Sequence, residues 1–489
     1  MTTEARIAET HSAWVILLGD RAYKIKKPVA LDFLDFSTRE AREAIAHREV
    51  ELNRRLAPDV YLGVADIVGP DGEVCDHMVV MQRMPDDRRL ATLVGAGAVL
   101  DDEIRDIARV VAAFHERAET SPPVADAGRP DALREKVETD LAQMRDFAPA
   151  VLDPDVLEEV ASLVDRYLRG RTRLFDARIE RGLVRDGHGD LLAADIFCLP
   201  DGPRILDCIE FDDRIRHGDV LADLAFLAMD LERLGAPALA TALLGWYREF
   251  TAETHPESLA HYYIACRALV RSKVACIRST QGDDASRSEA TQLLDLARTH
   301  LRRAQVRIVL VGGAPGTGKS TLAAGIAETV GWTVLRSDEV RKDLAGIGHT
   351  AAAGADLGEG IYDPASTDAT YRELLDRARV ALELGESVLV DASWSSATHR
   401  TAAALLARET SSDLVELCCT ASADVADARI RMRAAQNRDA SDATPTIAAA
   451  MRTTFDDWPS AKVIDTTSGP EVSRSAALDL LTTPGPPLP

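Results

Sequence analysis

The sequence predicts a two-lobed α+β unit followed by an α/β unit with a parallel sheet, and three observations carry that expectation. The chain has 489 residues, more than one hydrophobic core can serve, so two or three domains are expected. Residues 1–300 read as strands, one helix, further strands and then long helices, with one compact run of short strands inside the helical part. Residues 304–480 alternate apolar strands with helices, the pattern of a parallel sheet flanked by helices.

In order along the chain, WVILLGDRAYKIKKPV (14–29) reads as two strands joined at Gly19-Asp20, a hairpin signal. Residues 38–56 place Ala, Ile and Leu at helical spacing among charges and stop before Pro58. VYLGVADIVGPDGEV and HMVVMQRM make a second extended pair around the turn Gly69-Pro70-Asp71-Gly72, completing a small lobe over about residues 1–90. Residues 100–181 are largely helical, broken at Ser121-Pro122-Pro123 and at Ala148-Pro149. GLVRDGHGDLLAADIFCLPDGPRILDCIEF then turns at Pro200-Asp201-Gly202 between two apolar strands. Leu- and Ala-rich helices run from 220 to about 303, with QGDDASRS (281–288) as a loop within them, and complete a helical large lobe over 91–300. From Val306 onward VRIVLVGG, WTVLRSD, SVLVDAS and DLVELCCT are strands separated by helices. The tail over 481–489, ending TTPGPPLP, is too rich in proline to pack and is expected to be disordered.

Composition narrows the function classes. Hydrophobic residues are 46% and charged residues 28%, ordinary for a soluble globular protein. With 57 Lys and Arg against 79 Asp and Glu the formal net charge is -22, which repels nucleic acid and anionic membrane over most of the surface. The seven cysteines, with Cys418 and Cys419 adjacent, show no CxxC spacing and are read as reduced thiols. MTTEARIAETHSAW lacks a basic stretch followed by an apolar one, and no apolar run is long enough to span a bilayer. The expectation is a soluble cytoplasmic protein with no nucleic-acid or membrane partner.

The sharpest motif is RIVLVGGAPGTGKSTLAAGIA. Gly313-Ala314-Pro315-Gly316-Thr317-Gly318-Lys319-Ser320 fits G-x-x-x-x-G-K-[ST], between a strand and a helix as that motif requires. Its glycines let backbone N–H groups wrap a phosphate chain, and the N-terminus of the following helix, with Thr321, favours negative charge. Lys319 then meets the β- and γ-phosphates of ATP, and the Ser320 hydroxyl ligates Mg²⁺. Asp391 closes the strand VLVD, where a carboxylate assists the metal or caps a helix, and Asp338 ends WTVLRSD at the carboxyl edge of the sheet. The stretch SDEVRK, with Asp338 three residues before Arg341, resembles P-loop kinases of the polynucleotide-kinase, gluconate-kinase and zeta-toxin kind. That resemblance implies Asp338 as the base for an acceptor hydroxyl and Arg341 as a substrate contact. The run RIRMR with Arg438, between Asp427 and Ser441, resembles the lid of those enzymes, or is an ordinary charged helix face.

A second site is written earlier. His188-Gly189-Asp190 lies between two strands and is followed by Asp195-Ile196-Phe197, which resembles the H-G-D-x-x-x-x-N loop of aminoglycoside phosphotransferases, fructosamine kinases and choline kinases. The resemblance implies that Asp190 positions or deprotonates the acceptor hydroxyl and that Asp195, in place of asparagine, holds Mg²⁺. It also places Glu210 as a metal ligand at the end of RILDCIEF, with Asp207 as the alternative. Lys24 resembles the strand lysine that contacts ATP phosphates, with Lys26 as its rival, and Glu49 resembles its ion-pair partner. Met81-Gln82-Arg83-Met84 falls where a hinge meets adenine, and Leu18-Gly19-Asp20 is the one candidate for a phosphate-covering loop.

With GDRAYKIKKPV, LNRRLAPDVYLGV, CIEFDDR and DLAFLAMDLE, the chain resembles a bacterial fusion of an aminoglycoside-phosphotransferase-like domain with a P-loop kinase-like domain. The implied fold is a protein-kinase-like bilobal α+β domain over 1–300 and an α/β P-loop kinase domain over 304–480. The implied activity is ATP- and Mg²⁺-dependent transfer to hydroxyl groups of small molecules at two sites. Two other readings stay open: an N-terminal half that binds a ligand and regulates the C-terminal half, and 5′-end phosphorylation of nucleic acid, which conflicts with the net charge.

Overall fold

Alternation along short strands builds the first sheet. β1 (Arg6–Glu9), β2 (Ala13–Leu18) and β3 (Arg21–Lys26) are followed by helix α1 (Arg39–Asn53), β4 (Tyr61–Val68) and β5 (Val74–Gln82), and the sheet runs antiparallel in the order β1-β2-β3-β5-β4. Leu18 pairs with Arg21, so Gly19-Asp20 is the two-residue turn that the sequence predicts, with Gly19 at φ +61°. Thr38 caps α1 by accepting from Ala41 N–H at 3.2 Å. Ala46 and Val50 of α1 pack on Ala22, Val79 and Met81 of the sheet. The period of two puts Lys24 and Lys26 on the same face of β3 as buried Ala22. Strand β1 was not read from the sequence; its four residues are all exposed, so no apolar alternation marks it.

This computed structural model describes residues 5–9, 12–31, 34–280, 283–349, 360–436 and 444–482. The predicted disordered tail lies outside the described residues from 483, while 481 and 482 close the helix Pro470–Thr482. The chain divides into two units. The first comprises Met1–Ala161, Phe175–His255 and Ala260–His300, and the second comprises Ser162–Leu174, Pro256–Leu259 and Leu301–Pro489.

In the first unit the helical lobe includes α2 (Asp101–Arg117) and α3 (Pro130–Arg145). It is interrupted by the short strands β6 (Val184–Asp186), β7 (Ile196–Leu199), β8 (Gly202–Ile205) and β9 (His217–Asp219). α4 (Val220–Arg233) and α5 (Glu257–Thr280) follow. The turn at Pro200-Asp201-Gly202 joins β7 to β8, with Leu199 opposite Gly202. Two details differ from the sequence reading. β8 stops at Ile205, so the apolar run Cys208-Ile209-Glu210-Phe211 is not a strand. Helix resumes at Asp284, so the loop read over 281–288 is shorter, with 281 and 282 outside the described residues.

The second sheet is parallel. β10 (Arg307–Gly312), helix α6 (Lys319–Val330), β11 (Thr333–Arg336), helix α7 (Ser337–Ala345), β12 (Val388–Asp391), β13 (Asp413–Thr420), helix α8 (Ala423–Gln436) and β14 (Lys462–Asp465) give the strand order β11-β12-β10-β13-β14. Both faces are covered. Ile308, Leu310, Val388 and Val390 pack with Tyr371 and Leu374 on one side, and Val309, Val311 and Leu389 pack with Leu322 and Ile326 on the other. That is why these strands read as unbroken apolar runs. All seven cysteines are free, and among the described residues no helix is long and apolar enough to cross a membrane.

Candidate functional site

Each unit assembles charged groups at the ends of its strands. In the first, the loop after β6 is fixed by a buried carboxylate. Asp223 of α4 accepts from His188 N–H at 2.7 Å, from Gly189 N–H at 2.9 Å and from His115 Nε2 at 3.1 Å, and the His115 and His188 contacts hold its pKa well below the ordinary carboxylate value against burial. A Cβ on residue 187 would come within 2.7 Å of Asp223 Oδ2, and Gly189 sits at φ +90° with a Cβ position 3.2 Å from Arg216 and Ile209 side-chain carbons. Glycine is therefore required at both places. The His188 ring is buried, with Nε2 3.1 Å from Leu206 O, and burial lowers its pKa. His188 is thus a tie inside the loop, and Asp190 is the group the loop delivers.

Two lysines and three carboxylates meet below the small sheet. Glu49, fully buried in α1, lies 2.9 Å from Lys24 and 2.7 Å from Lys26. Lys24 also contacts Asp207 at 2.6 Å, whereas Lys26 pairs with Glu210. The spacing argument that put Glu210 ahead of Asp207 assumed a strand continuing past Ile205. The chain instead turns, with Asp207 at φ +65°, its N–H bonded to Tyr61 OH at 3.2 Å and Cys208 N–H bonded to Asn53 Oδ1 at 2.9 Å. The turn brings Asp207, and not Glu210, beside Lys24.

Asp207, Asp195 and Asp190 share one electrostatic environment. Lys24 holds Asp207 down to about 2. Burial, then the charges of Asp207 and Asp190, push Asp195 well above its ordinary value. Burial likewise raises Asp190 to about 6, opposed by the charges of Arg271 and Arg267. Among the described residues no three acidic, imidazole or thiol groups converge enough to hold a metal ion by themselves. Such a set fits Mg²⁺, which takes one or two carboxylates and completes its shell with phosphate oxygens and water.

The hinge segment is less open than its sequence implies. Gln82 N–H bonds Val60 O at 2.8 Å, Arg83 N–H bonds Asp20 O at 2.9 Å, and the Gln82 side chain accepts from Arg21. Leu18-Gly19-Asp20 is used up by the tight turn between β2 and β3.

In the second unit Gly313, Gly316 and Gly318 take φ +131°, +82° and +86°. A Cβ at Gly313 would lie 2.4 Å from Cys419 O, and one at Gly316 would lie 2.6 Å from Ala426 O. The loop is anchored by Gly313 N–H to Ser393 O at 3.0 Å and by Thr317 Oγ1 to Ala314 O at 2.8 Å. Lys319 Nζ folds back on Ala314 O at 3.0 Å, and α6 starts at Lys319, so its free N–H groups, those of Ser320 and Thr321 included, end at the loop with Pro315.

Asp391 at the end of β12 is buried and lies 3.5 Å from Arg336 Nε, and Ser320 acts to lower its pKa. Burial raises its pKa against the charges of Lys319 and Arg336, and the charge of Asp338, in the first turn of α7, raises it further. Arg341 points elsewhere: it donates to Ile361 O at 2.8 Å and Thr367 Oγ1 at 3.2 Å and covers the Tyr362 ring at 5.0 Å.

Three groups were missed in the sequence. Asp223 was hidden in DLAFLAMDLE, where a carboxylate inside an apolar helix is the signal, since a buried charge needs partners. Arg336 precedes Asp338 and had no motif to mark it. Arg429, first residue of RIRMR, donates to Thr466 O at 2.8 Å and Thr466 Oγ1 at 3.0 Å, while Thr466 Oγ1 donates to Thr317 O at 2.7 Å, so it braces the loop from behind. Asp427 of the same helix lies 3.7 Å from Arg452, and Arg438 and Ser441 lie outside the described residues.

Comparison with known proteins follows the same division. The AAA_33 family, described as an AAA domain, matches residues 308–457. Over 464 residues the chain is 44% identical to "Uncharacterized protein Rv2004c" of Mycobacterium tuberculosis, across 95% of this chain and 92% of that one. A choline/ethanolamine kinase family protein from Mesorhizobium loti is similar over 62% of this chain and 92% of its own, at 14% identity and TM-score 0.40. The Mycobacterium tuberculosis APS kinase CysC, in complex with AMPPNP and APS, is similar over 37% of this chain and 99% of its own, at 21% identity and TM-score 0.29.

Proposed function

The chain belongs to the same family as the Mycobacterium tuberculosis protein Rv2004c, and we propose that it is an ATP-dependent phosphotransferase with two nucleotide sites, each acting on a hydroxyl group of a small molecule. One observation carries this reading: each unit gathers a lysine and acidic side chains from separate elements into one place. In the first these are Lys24, Asp190, Asp195 and Asp207; in the second they are Lys319 with Ser320, Asp391 and Asp338.

Phosphoryl transfer needs little covalent help from a protein, so positioning and charge do most of the catalysis. In the first site Lys24 holds the phosphate chain, kept in place by buried Glu49, and Asp190 orients the acceptor hydroxyl and takes its proton. In the second the loop over Gly313 to Thr321 and Lys319 hold the phosphates, and Asp338 takes the proton. Bound Mg²⁺ supplies charge neutralisation of the phosphate oxygens, with Asp195 and Asp207 in the first site and Ser320 and Asp391 in the second as its protein contacts. Asp207 is preferred to Glu210 for this role because it lies beside Lys24, the lysine assigned to the phosphates, whereas Glu210 pairs with Lys26. Arg341, the substrate contact that the resemblance implies, is instead engaged by Ile361, Thr367 and Tyr362 and is given no role in the transfer. The free cysteines and net charge of -22 support a cytoplasmic enzyme that leaves nucleic acid alone.

The test is to incubate the protein and Mg²⁺-ATP with hydroxyl-bearing metabolites and identify the products by ³¹P NMR and mass spectrometry. A phosphomonoester on an acceptor supports transfer; ADP and inorganic phosphate alone, across the panel, contradict it. The pH dependence adds a sharper expectation. Asp190 is held near 6 and must be ionised to accept a proton, so first-site kcat/KM should fall about tenfold per unit below about pH 6. This is measured in a Lys319→Ala background, and a flat profile down to about pH 5 contradicts the role of Asp190.

A further inference from the structure

Close to Asp190 the first unit sets two arginines on one helix. Arg267 and Arg271 stand four residues apart on α5 and so project from one face of the helix. Arg267 is nine-tenths buried: its Nε donates to Ala222 O at 2.9 Å and its guanidinium lies 4.9 Å over the Phe226 ring. Ala222 and Phe226 flank Asp223, the carboxylate that holds His188 and Gly189. One turn of α4 therefore fixes both Arg267 and the loop that ends in Asp190.

Arg271 lies one turn further along. Among the described residues it makes no hydrogen bond or ion pair, yet of all neighbouring charges it favours the ionised form of Asp190 most, with Arg267 also contributing. It is near that carboxylate without being its salt-bridge partner. A third cation comes from α3. Asp140 is tied to Lys273 Nζ at 2.5 Å, which joins α3 to α5, and Lys136 one turn before Asp140 sits in the field of Arg267. Lys136 also forms no ion pair among the described residues. The nearby carboxylates are occupied: Asp140 by Lys273, and Asp212 by Arg214 at 2.8 Å. Two arginines thus favour ionised Asp190, opposed by the charges of Asp207 and Asp230, in a chain whose overall charge is -22. A guanidinium with no ion-pair partner matches the two oxygens of a phosphate or carboxylate.

We propose that the acceptor of the first site is itself an anion, a small hydroxyl compound carrying a phosphate or carboxylate that Arg271 and Arg267 hold while its hydroxyl lies at Asp190. This rests on the reading of Asp190 as the acceptor-side carboxylate. The two arginines are specificity-determining residues.

The full chain, saturated with Mg²⁺-AMPPNP, is titrated calorimetrically with matched pairs: ribose and ribose 5-phosphate, glycerol and glycerol 3-phosphate, and glucose and gluconate, with choline as a cation. At least one anion should bind while its neutral counterpart binds at least about tenfold more weakly, and the phosphate and carboxylate arms distinguish the two anion types. Arg271→Gln should weaken that binding by about tenfold or more, Arg271→Lys should restore part of it, and AMPPNP affinity should stay unchanged in both. Anion binding that is the same in Arg271→Gln, a preference for choline, or no binding by any anion of the panel overturns the proposal. The readout is binding and not turnover, so it stands apart from the two-site phosphotransferase reading, whose failure shows as loss of AMPPNP binding by the first unit in the unmutated chain.

Discussion

Lys319→Ala is expected to lower phosphoryl transfer by the second unit by about 10²–10³-fold, the usual loss when one preorganised charge is removed from a transition state. The fold should survive. Among the described residues Lys319 Nζ has one hydrogen bond, to Ala314 O at 3.0 Å, while the loop is held independently by Gly313 N–H on Ser393 O at 3.0 Å and by Thr466 Oγ1 on Thr317 O at 2.7 Å. The check is ADP formation in an Asp190→Asn background, where the first site is silent, together with thermal unfolding of the same protein. Unchanged turnover would remove Lys319 from the mechanism, and a collapsed unfolding temperature would make it structural.

Asp190→Asn is the complementary change. It keeps the size of the side chain and removes the proton acceptor, so first-site kcat should fall by about 10²–10⁴-fold. Stability should move the other way. The folded protein holds the Asp190 proton more tightly than the unfolded chain does, about 6 against 3.8, so ionised Asp190 weakens the fold as pH rises through that window. Asparagine removes the penalty. The variant should therefore be more stable at neutral pH, by on the order of 1–2 kcal/mol, and the difference should vanish below about pH 4. Denaturant titrations at two pH values read this directly. Lost activity with lowered stability at neutral pH would mark Asp190 as a scaffold residue, and retained first-site transfer would remove Asp190 from the mechanism.

How far the sequence discloses this arrangement depends on whether the signal is local. The glycines of the phosphate-binding loop announce their positive φ angles, and VRIVLVGG and SVLVDAS announce strands covered on both faces, because each requirement falls on a short stretch. The lysines of β3 and Glu49 were reached through the resemblance to phosphotransferases, with period two placing Lys24 and Lys26 on one face of the strand. Which carboxylate stands beside Lys24 was not legible in that way. Choosing between Asp207 and Glu210 depends on where β8 stops and on a left-handed residue held by Tyr61 and Asn53, more than 140 positions earlier. Arg341 carries a motif position, but its guanidinium direction is set by Ile361 and Thr367, which no spacing rule reaches. Asp223 needed the converse inference, from a carboxylate in an apolar helix to a loop that must be holding it.

The central claim, that each unit carries its own nucleotide site, is tested most directly by calorimetric titration of Mg²⁺-ATP into the full chain, Lys24→Met, Lys319→Ala and the double variant. Lys24→Met leaves Glu49 paired with Lys26 at 2.7 Å, so the buried carboxylate keeps a partner. Two binding events are expected in the unmutated chain, one in each single variant and none in the double variant. A single event that Lys319→Ala abolishes and Lys24→Met leaves intact would contradict the claim and confine nucleotide chemistry to the second unit.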